Sequence, residues 1–325
     1  MPRSRNVIRG TDASAAGSAG LQPSALAATS TRSMALVAAM RPLHWTKNLL
    51  LFVPLLLSTE VSVPTSWLQA LVGFVAFSLC ASSVYVLNDS LDVEADRQHP
   101  EKKFRPFAGG AIPVHWARLI VTLLSAMGLS ISWWLLPGAF TFLLLGYLVA
   151  TSAYSIGLKQ VAFLDVIILA SFYPLRLIAG GVATDHAVNR SLVVASLFFF
   201  ASVAFAKRHA ELARHDDSPN VAPRCRGYAT SDLPLLEAAG IGCGCLAVIA
   251  FCRLVIGANG QYRGGLLGLV CTLLLGWLTR VWWLARRRKL LDDPLLFALS
   301  DPISLLIGIM LTAVVGISLL HSIVE

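Results

Sequence analysis

The amino-acid sequence predicts an all-α integral membrane protein with about nine transmembrane helices, and three observations support this fold class. Of the 325 residues, 56% are hydrophobic and only 14% are charged, against roughly 45–50% and 25% in soluble domains. Apolar runs recur from residue 34 to the end without a polar domain between them. Basic residues concentrate in alternate loops, as expected when cytoplasmic loops retain Lys and Arg. We therefore predict one membrane domain.

The amino-terminal residues 1–33 differ in composition from the rest of the chain. They are rich in Ala, Ser, Gly and Arg and contain one acidic residue, Asp12. We predict a disordered basic cytosolic tail over 1–33 and a transmembrane domain over 34–325. Because Met34 directly precedes the first apolar run, it is a candidate for the true start, which mass spectrometry of the mature amino terminus would settle.

The transmembrane helices are predicted from the lengths of the apolar runs. A helix that crosses a bilayer needs about 17–25 predominantly apolar residues. Nine runs approach or reach this length: 34–58, 67–88, 114–136, 138–157, 161–183, 191–206, 238–257, 264–285 and 302–323. We expect these nine helices to pack as a bundle.

The distribution of basic residues predicts the orientation. With nine helices, the basic tail and the basic loops after helices 2, 4, 6 and 8 all lie on one side. The opposite loops carry little beyond Arg190 and Arg263. This asymmetry places the amino terminus in the cytoplasm. The net charge of +8 does not indicate nucleic-acid binding, because the basic residues lie in short loops between apolar spans; anionic lipid and phosphorylated substrates fit better.

A cluster of carboxylates at the end of the second predicted helix is the most informative feature. Asp89, Asp92 and Asp96 are spaced three and four residues apart, so they share one helical face, with Asn88 beside them and Glu94 turned away. Such close like charges repel unless a cation lies among them. Oxygen ligands on one side suit a Mg²⁺ shared with substrate phosphates. We predict that the three aspartates are the catalytic metal ligands and that Asn88 contacts substrate.

The loop after this cluster places four cations beside the carboxylates. The loop contains Arg97, Lys102, Lys103 and Arg105, and it interleaves two prolines with Phe104 and Phe107. We expect the loop to lie on the bilayer, with its rings in the interface and its cations facing phosphate oxygens.

Ionisable residues also occur within or beside later helices. Asp165 and Arg176 are eleven residues apart, about three turns, so they share a face but cannot pair directly. Each needs a partner on another helix or on a ligand, and we expect both to face a polar cavity. After the sixth helix, Lys207 and Glu211 can pair at a four-residue spacing, and the wider loop could form a second wall of a phosphate site.

The chain resembles the UbiA superfamily of intramembrane prenyltransferases over residues 35–325. The resemblance rests on the helix count and on the signature Asn-Asp-x-x-Asp-x-x-x-Asp formed by Asn88, Asp89, Asp92 and Asp96. It implies a helical bundle around a lipid-accessible cavity, with diphosphate bound through Mg²⁺.

Finer motifs look like the decaprenyl-phosphate phosphoribosyltransferase branch of that superfamily. They are Arg41-Pro42-x-x-Trp45-x-Lys47-Asn48, Tyr154-Ser155-x-x-Leu158-Lys159, Arg176-x-x-Ala179-Gly180-Gly181 and Lys207-Arg208-x-Ala210-Glu211-Leu212. Aromatic-prenylating members usually carry a second aspartate motif after helix 6. Here that position holds Lys207, Arg208 and Glu211, a departure that favours a sugar-phosphate donor over a second magnesium.

These features predict Mg²⁺-dependent transfer of a 5-phosphoribosyl group from phosphoribosyl diphosphate to a polyprenyl phosphate. The expected substrate contacts are Asn88, Lys47, Lys102, Lys103, Arg105, Tyr154, Lys159, Asp165, Arg176, Lys207, Arg208 and Glu211, with Arg176 assigned to the lipid phosphate. The alternatives are prenyl transfer from a polyprenyl diphosphate to an aromatic or other small acceptor, and, from another class, a transporter of a lipid-linked sugar. The resemblance fits a bacterial inner membrane with a cytoplasmic active site; the oligomeric state stays open.

Overall fold

The computed structural model describes residues 25–58, 61–99, 101–216, 227–257, 264–290, 297–298, 301–311 and 313, and the regular structure within them is entirely helical. The α-helices are α1 (Ala25–Met40), α2 (Val53–Leu56), α3 (Pro64–Leu91), α4 (Val93–Arg97), α5 (Trp116–Leu135), α6 (Gly138–Ile156), α7 (Leu164–Thr184), α8 (Arg190–Asp216), α9 (Leu233–Gly257), α10 (Gly264–Arg286) and α11 (Pro302–Leu311). In these residues seven helices, α3 and α5 to α10, are long and apolar enough to cross a membrane. The all-helical membrane fold is confirmed, and the predicted count of nine is approximate.

The first predicted span, 34–58, is not one helix. The α1 helix ends at Met40, Arg41 adopts a left-handed backbone with φ 52°, and a 3-10 helix follows from Pro42 to Phe52. The break has a local cause, because the ring of a proline disfavours helical geometry in the residue before it. The amino-terminal boundary also differs: α1 begins at Ala25, so residues 25–33 of the predicted tail are helical, while 1–24 lie outside the described residues.

The 3-10 segment packs against α3 and α7, and its Asn48 and Leu51 are buried. Leu51 is fully buried, and its carbonyl lies against Gly180 of α7, where an added Cβ would stand 2.0 Å from the Leu51 oxygen. Only glycine permits this approach. Irregular backbone can occur at membrane depth when protein surrounds it in this way.

The last predicted span, 302–323, is described only over α11 and residue 313. Asp301 caps α11: its carboxylate accepts the Ser304 N–H at 2.8 Å and a proton of Arg280 on α10 at 2.6 Å. Burial raises the pKa of Asp301, but these hydrogen bonds outweigh it and hold the pKa below its usual range.

Two packed groups of helices share α7. On one side, α3, α6 and α7 enclose Phe77 and Phe140, both fully buried. On the other side, α8, α9 and α10 enclose Val281 and Trp282. Contacts across the bundle bring the ends of α3, α6 and α8 together with the start of α7. This end of the bundle holds the aspartate cluster.

Candidate active site

The aspartate cluster lies where α3 ends. Leu91 is the last residue of α3, Asp92 interrupts the helix with φ −95° and ψ 7°, and α4 begins at Val93. The hydrogen bond from the Asp96 N–H to the Asp92 carbonyl, at 2.8 Å, keeps the helical spacing across the break. Asp89 and Asp96 therefore point to the same side, and both side chains are buried, with 2% and 1% exposure.

Two arginines cover the buried carboxylates. The Arg41 Nη2 lies 2.6 and 2.9 Å from the two carboxylate oxygens of Asp89. The Arg105 Nη1 bridges Asp89 and Asp96, at 3.2 and 2.7 Å. Charge-assisted contacts of this kind are about twice as strong as neutral hydrogen bonds. The cation that the like-charged cluster requires is thus supplied by the chain itself.

The third carboxylate has a separate cation. Asp92 is partly exposed, and Lys159, from the 3-10 turn after α6, places its Nζ 2.9 Å from both Asp92 oxygens. The same Nζ donates to the Asn88 side-chain oxygen at 3.1 Å, and the Asn88 amide donates to Asp92 at 3.2 Å. Glu94 points away from the cluster, as predicted, and pairs with Arg97.

The carboxylate oxygens are the donor type that Mg²⁺ prefers, but their present arrangement does not form one ligand set. In the part of the chain that the structure describes, no three acidic, His or Cys side chains converge as a metal site. Asp89 and Asp96 share Arg105, whereas Asp92 turns to Lys159. The residues fit the metal in chemistry, and the two buried carboxylates are paired with arginines in this structure.

The loop after α4 folds onto the bundle. Its Phe107 is 1% exposed and packs among residues of α3 and α5, whereas Phe104 is 78% exposed. The expectation that both rings lie in the interface is therefore wrong for Phe107, whose burial brings Arg105 over the carboxylates. Lys102 is half-buried, and Lys103 is exposed with its Nζ 5.1 Å from the Phe104 ring centroid.

A second buried network joins α7 to α8. Asp165 is fully buried; one oxygen accepts the Arg208 Nε proton at 2.5 Å, and the other accepts the Tyr228 hydroxyl proton at 2.5 Å. The Tyr228 oxygen in turn accepts the Phe163 N–H at 2.7 Å, which holds Phe163 in a left-handed backbone with φ 64°. Burial and the bond to Asp165 raise the pKa of Tyr228 above its usual range.

The partly exposed rim of this network is on α8. Arg208 also pairs with Glu211, and Lys207 lies 3.9 Å from the same carboxylate. Tyr154, half-buried at the end of α6, is near enough to Arg208 to interact with it electrostatically. These predicted residues thus lie together, near the ends of α6 and α8 and the start of α7.

Arg176 lies apart from both groups. Its Nε donates to Asn48 at 2.8 Å, its Nη1 to the Phe172 carbonyl at 2.5 Å and its Nη2 to the Tyr147 hydroxyl at 3.3 Å. Every guanidinium nitrogen therefore has a protein partner, and the side chain is 5% exposed.

The position of Arg176 along the bundle argues against its predicted role. Asn48 also donates to Ser78 at 2.9 Å, and Ser78 lies eleven residues before Asp89 on α3, about 16 Å at the helical rise. A lipid phosphate held there would be far from the carboxylates. In this structure Arg176 supports the broken 3-10 segment, and its assignment to the lipid phosphate stays a prediction. Lys47, beside Asn48, is half-buried.

Sequence reasoning gave no site role to two residues that the structure places at the centre. Arg41 appeared only within a motif, although its position directly before Pro42 signals a chain break beside a charged group. Tyr228 lies after the loop that follows α8, and no local pattern links it to Asp165.

Comparisons with known proteins agree with this architecture. Residues 49–306 match the model of the UbiA prenyltransferase family. The chain is 31% identical over 280 residues to nodulation protein NoeC of Azorhizobium caulinodans, covering 82% of this chain and 87% of that protein. It is 39% identical over 181 residues to the decaprenyl-phosphate phosphoribosyltransferase of Mycolicibacterium smegmatis, covering 54% of this chain and 57% of that one.

The chain spans 53–59% of the length of five curated relatives it matches, the Mycolicibacterium protein among them. Its fold matches a solved UbiA homolog from Archaeoglobus fulgidus bound to DMAPP and Mg²⁺, with a TM-score of 0.65 and 18% identity, covering 89% of this chain and 98% of that one. By sequence and by fold, the chain belongs to the UbiA prenyltransferase family.

Proposed function

We propose that this enzyme transfers a 5-phosphoribosyl group from phosphoribosyl diphosphate to a polyprenyl phosphate, with Mg²⁺ and with loss of diphosphate. The observation that carries the proposal is the ring of cations around the aspartates: Arg41, Arg105 and Lys159 come from three separate elements and meet the three carboxylates. Relatives named decaprenyl-phosphate phosphoribosyltransferase, 33–39% identical over about half of the chain, support the same choice.

The charges of the site fit a donor that carries several phosphates. Asp89, Asp92 and Asp96 would hold Mg²⁺, which would neutralise the departing diphosphate. Arg41, Arg105 and Lys159 adjoin these carboxylates and would donate to diphosphate oxygens. Lys207, with Arg208 beside it, would contact the 5-phosphate from α8, and Lys102 and Lys103 would contact it from the loop after α4.

In the transfer, the bond between the anomeric carbon and the diphosphate oxygen breaks, and an oxygen of the lipid phosphate forms a new bond to that carbon. These cations stabilise the charge that develops on the leaving diphosphate, so electrostatic stabilisation supplies most of the rate. No side chain of the site needs to form a covalent intermediate. The donor is water-soluble, which agrees with a site on the cytoplasmic face of a bacterial inner membrane, as the basic loops predict.

A second candidate is prenyl transfer from a polyprenyl diphosphate to an aromatic or other small acceptor. Solved UbiA homologs from Archaeoglobus fulgidus bound to DMAPP or GPP with Mg²⁺ favour it. The two schemes differ in which substrate carries the diphosphate.

The deciding experiment supplies both substrate sets to the purified full chain. Radiolabelled phosphoribosyl diphosphate with polyprenyl phosphates of several chain lengths should yield a labelled lipid that depends on Mg²⁺. If no such lipid forms, and a polyprenyl diphosphate with an aromatic acceptor yields a prenylated product, the second candidate replaces the first.

Asp92→Ala tests the role of the carboxylates in that assay. Removing a group that stabilises charge in the transition state typically lowers the rate about 10²–10³-fold, and we expect a loss of that size. Glu94→Ala is the matched control, because Glu94 is two residues away but 85% exposed and paired with Arg97. Near-normal turnover of Asp92→Ala would remove the aspartates from the mechanism.

A further inference from the structure

The two buried carboxylates of the site are already occupied by arginines of the same chain. Asp89 and Asp96 are almost inaccessible, whereas Arg41 and Arg105, which cover them, are 21% and 25% exposed. Both Asp89 oxygens and one Asp96 oxygen receive guanidinium protons. The cations therefore lie between the carboxylates and the outside of the bundle.

This arrangement has a thermodynamic reason. A buried carboxylate without a cation is costly, so two such carboxylates without bound metal need positive charge from the protein. Mg²⁺ is usually held by one or two carboxylates together with substrate phosphates, and the guanidinium protons compete with it for both Asp89 oxygens and one Asp96 oxygen. Metal alone would thus displace two arginines and leave their charges without an anion.

The diphosphate removes that penalty. When metal and diphosphate arrive together, each displaced guanidinium gains phosphate oxygens, to which arginine binds with two parallel hydrogen bonds. The backbone allows such a transfer. Arg41 lies at the break between α1 and the 3-10 segment, and Arg105 follows a single 3-10 turn, while Asp89 belongs to the long α3 helix. The arginines can move while the carboxylates stay in place.

We propose that Arg41 and Arg105 are resident counter-ions that occupy the aspartates in the ligand-free enzyme and transfer to the donor's diphosphate, so that metal binds weakly until diphosphate is present. The inference rests on the proposed function for the metal-diphosphate site. It adds a coupling: each arginine opposes binding of metal alone and favours binding of metal with diphosphate.

The test measures two dissociation constants on the purified full chain in detergent. Calorimetry gives the constant for Mg²⁺ alone, and equilibrium dialysis with labelled inorganic diphosphate at saturating Mg²⁺ gives the second. In Arg105→Gln we expect Mg²⁺ alone to bind about 5-fold tighter or more, and diphosphate to bind about 10-fold weaker or more, changes within the usual range of coupling between sites. Arg41→Gln should shift both constants in the same directions.

Arg118→Gln is the control, because Arg118 is an exposed arginine at the start of α5, and neither constant should change in it. If one variant does not yield folded protein, the other variant alone tests the inference. In the wild type, Mg²⁺ alone should bind more weakly than Mg²⁺ together with diphosphate. If both glutamine variants bind Mg²⁺ alone no tighter than the wild type, the arginines do not compete with metal and the inference is overturned.

Failure of the proposed function gives a different result. Suppose that the wild type binds Mg²⁺ and diphosphate, and that the variants show the predicted opposite shifts, but that the wild type makes no phosphoribosyl lipid. That result would refute the substrate assignment and support the role of the two arginines as counter-ions. If instead the wild type makes the lipid and both variants have unchanged metal affinity, the substrate assignment stands and the counter-ion proposal is refuted.

Discussion

Replacing Asp165 by asparagine tests the buried network that joins α7 to α8. The change removes the negative charge beside Arg208, which is 4% exposed, while Glu211 remains as a partner of that arginine. Removing one partner of a buried ion pair costs about 3–5 kcal/mol. Because Glu211 still pairs with Arg208, we expect a loss at the lower end of this range, about 3 kcal/mol. An unfolding entropy of about 2.1 cal/mol/K per residue over 325 residues corresponds to about 1.5 °C per kcal/mol. The midpoint of thermal unfolding should therefore fall by roughly 4–5 °C.

In the assay, samples of the purified protein in detergent are heated to a series of temperatures. Size-exclusion chromatography then measures the fraction of folded protein that remains at each temperature. Glu94→Gln removes a carboxylate from an exposed pair and should leave the midpoint nearly unchanged, because exposed ion pairs contribute little. Combining Asp165→Leu with Arg208→Met should recover part of the loss, since an apolar pair can replace a buried ion pair. An unfolding midpoint for Asp165→Asn equal to that of Glu94→Gln would refute this account of the network.

Three further predictions follow from other contacts. Gly180→Ala should lower the unfolding midpoint by several degrees, because the added Cβ would overlap the 3-10 segment. Gly146→Ala should leave the midpoint unchanged, because Gly146 has open space around it. Chromatography of heated samples of both variants measures the two midpoints. Tyr228→Phe removes the acceptor of the Phe163 N–H, so amide exchange over 158–163 should accelerate, and unchanged exchange would contradict the contact. The pKa of Asp301 is lowered in the folded state, so its contribution to stability is present above about pH 4 and is lost as the pH falls below that value; unfolding midpoints at pH 6 and pH 3 should therefore differ less in Asp301→Asn than in the wild type.

The membrane helices could be predicted from the sequence because hydropathy is a local property. Apolar runs such as 67–88 and 138–157 became α3 and α6 with ends shifted by a few residues. The concentration of negative charge at one end of the bundle could also be predicted, because the spacing of Asp89 and Asp96 alone brings both side chains to one face.

The break in the first predicted span shows where local patterns fail. The run 34–58 is apolar at both ends, but Arg41, Lys47 and Asn48 lie in its middle. These polar residues alone do not show that α1 ends at Met40 and that a 3-10 segment follows Arg41. Proline signals the break, but the buried path of the segment depends on Gly180 of α7, more than a hundred residues away. A segment with irregular backbone is stable there only because α3 and α7 enclose it.

The partners of the charges also depended on the tertiary structure. The sequence alone determined that this chain is a helical membrane protein with Asp89 and Asp96 on one face near a basic loop. Which cations meet those aspartates was decided by packing: Arg41 reaches Asp89 across 48 residues, and Lys159 reaches Asp92 across 67. The same packing gave Arg176 a partner in Asn48, 128 residues away. Spacing along a helix specifies which side chains share a face, whereas the partner across the bundle depends on how the helices pack.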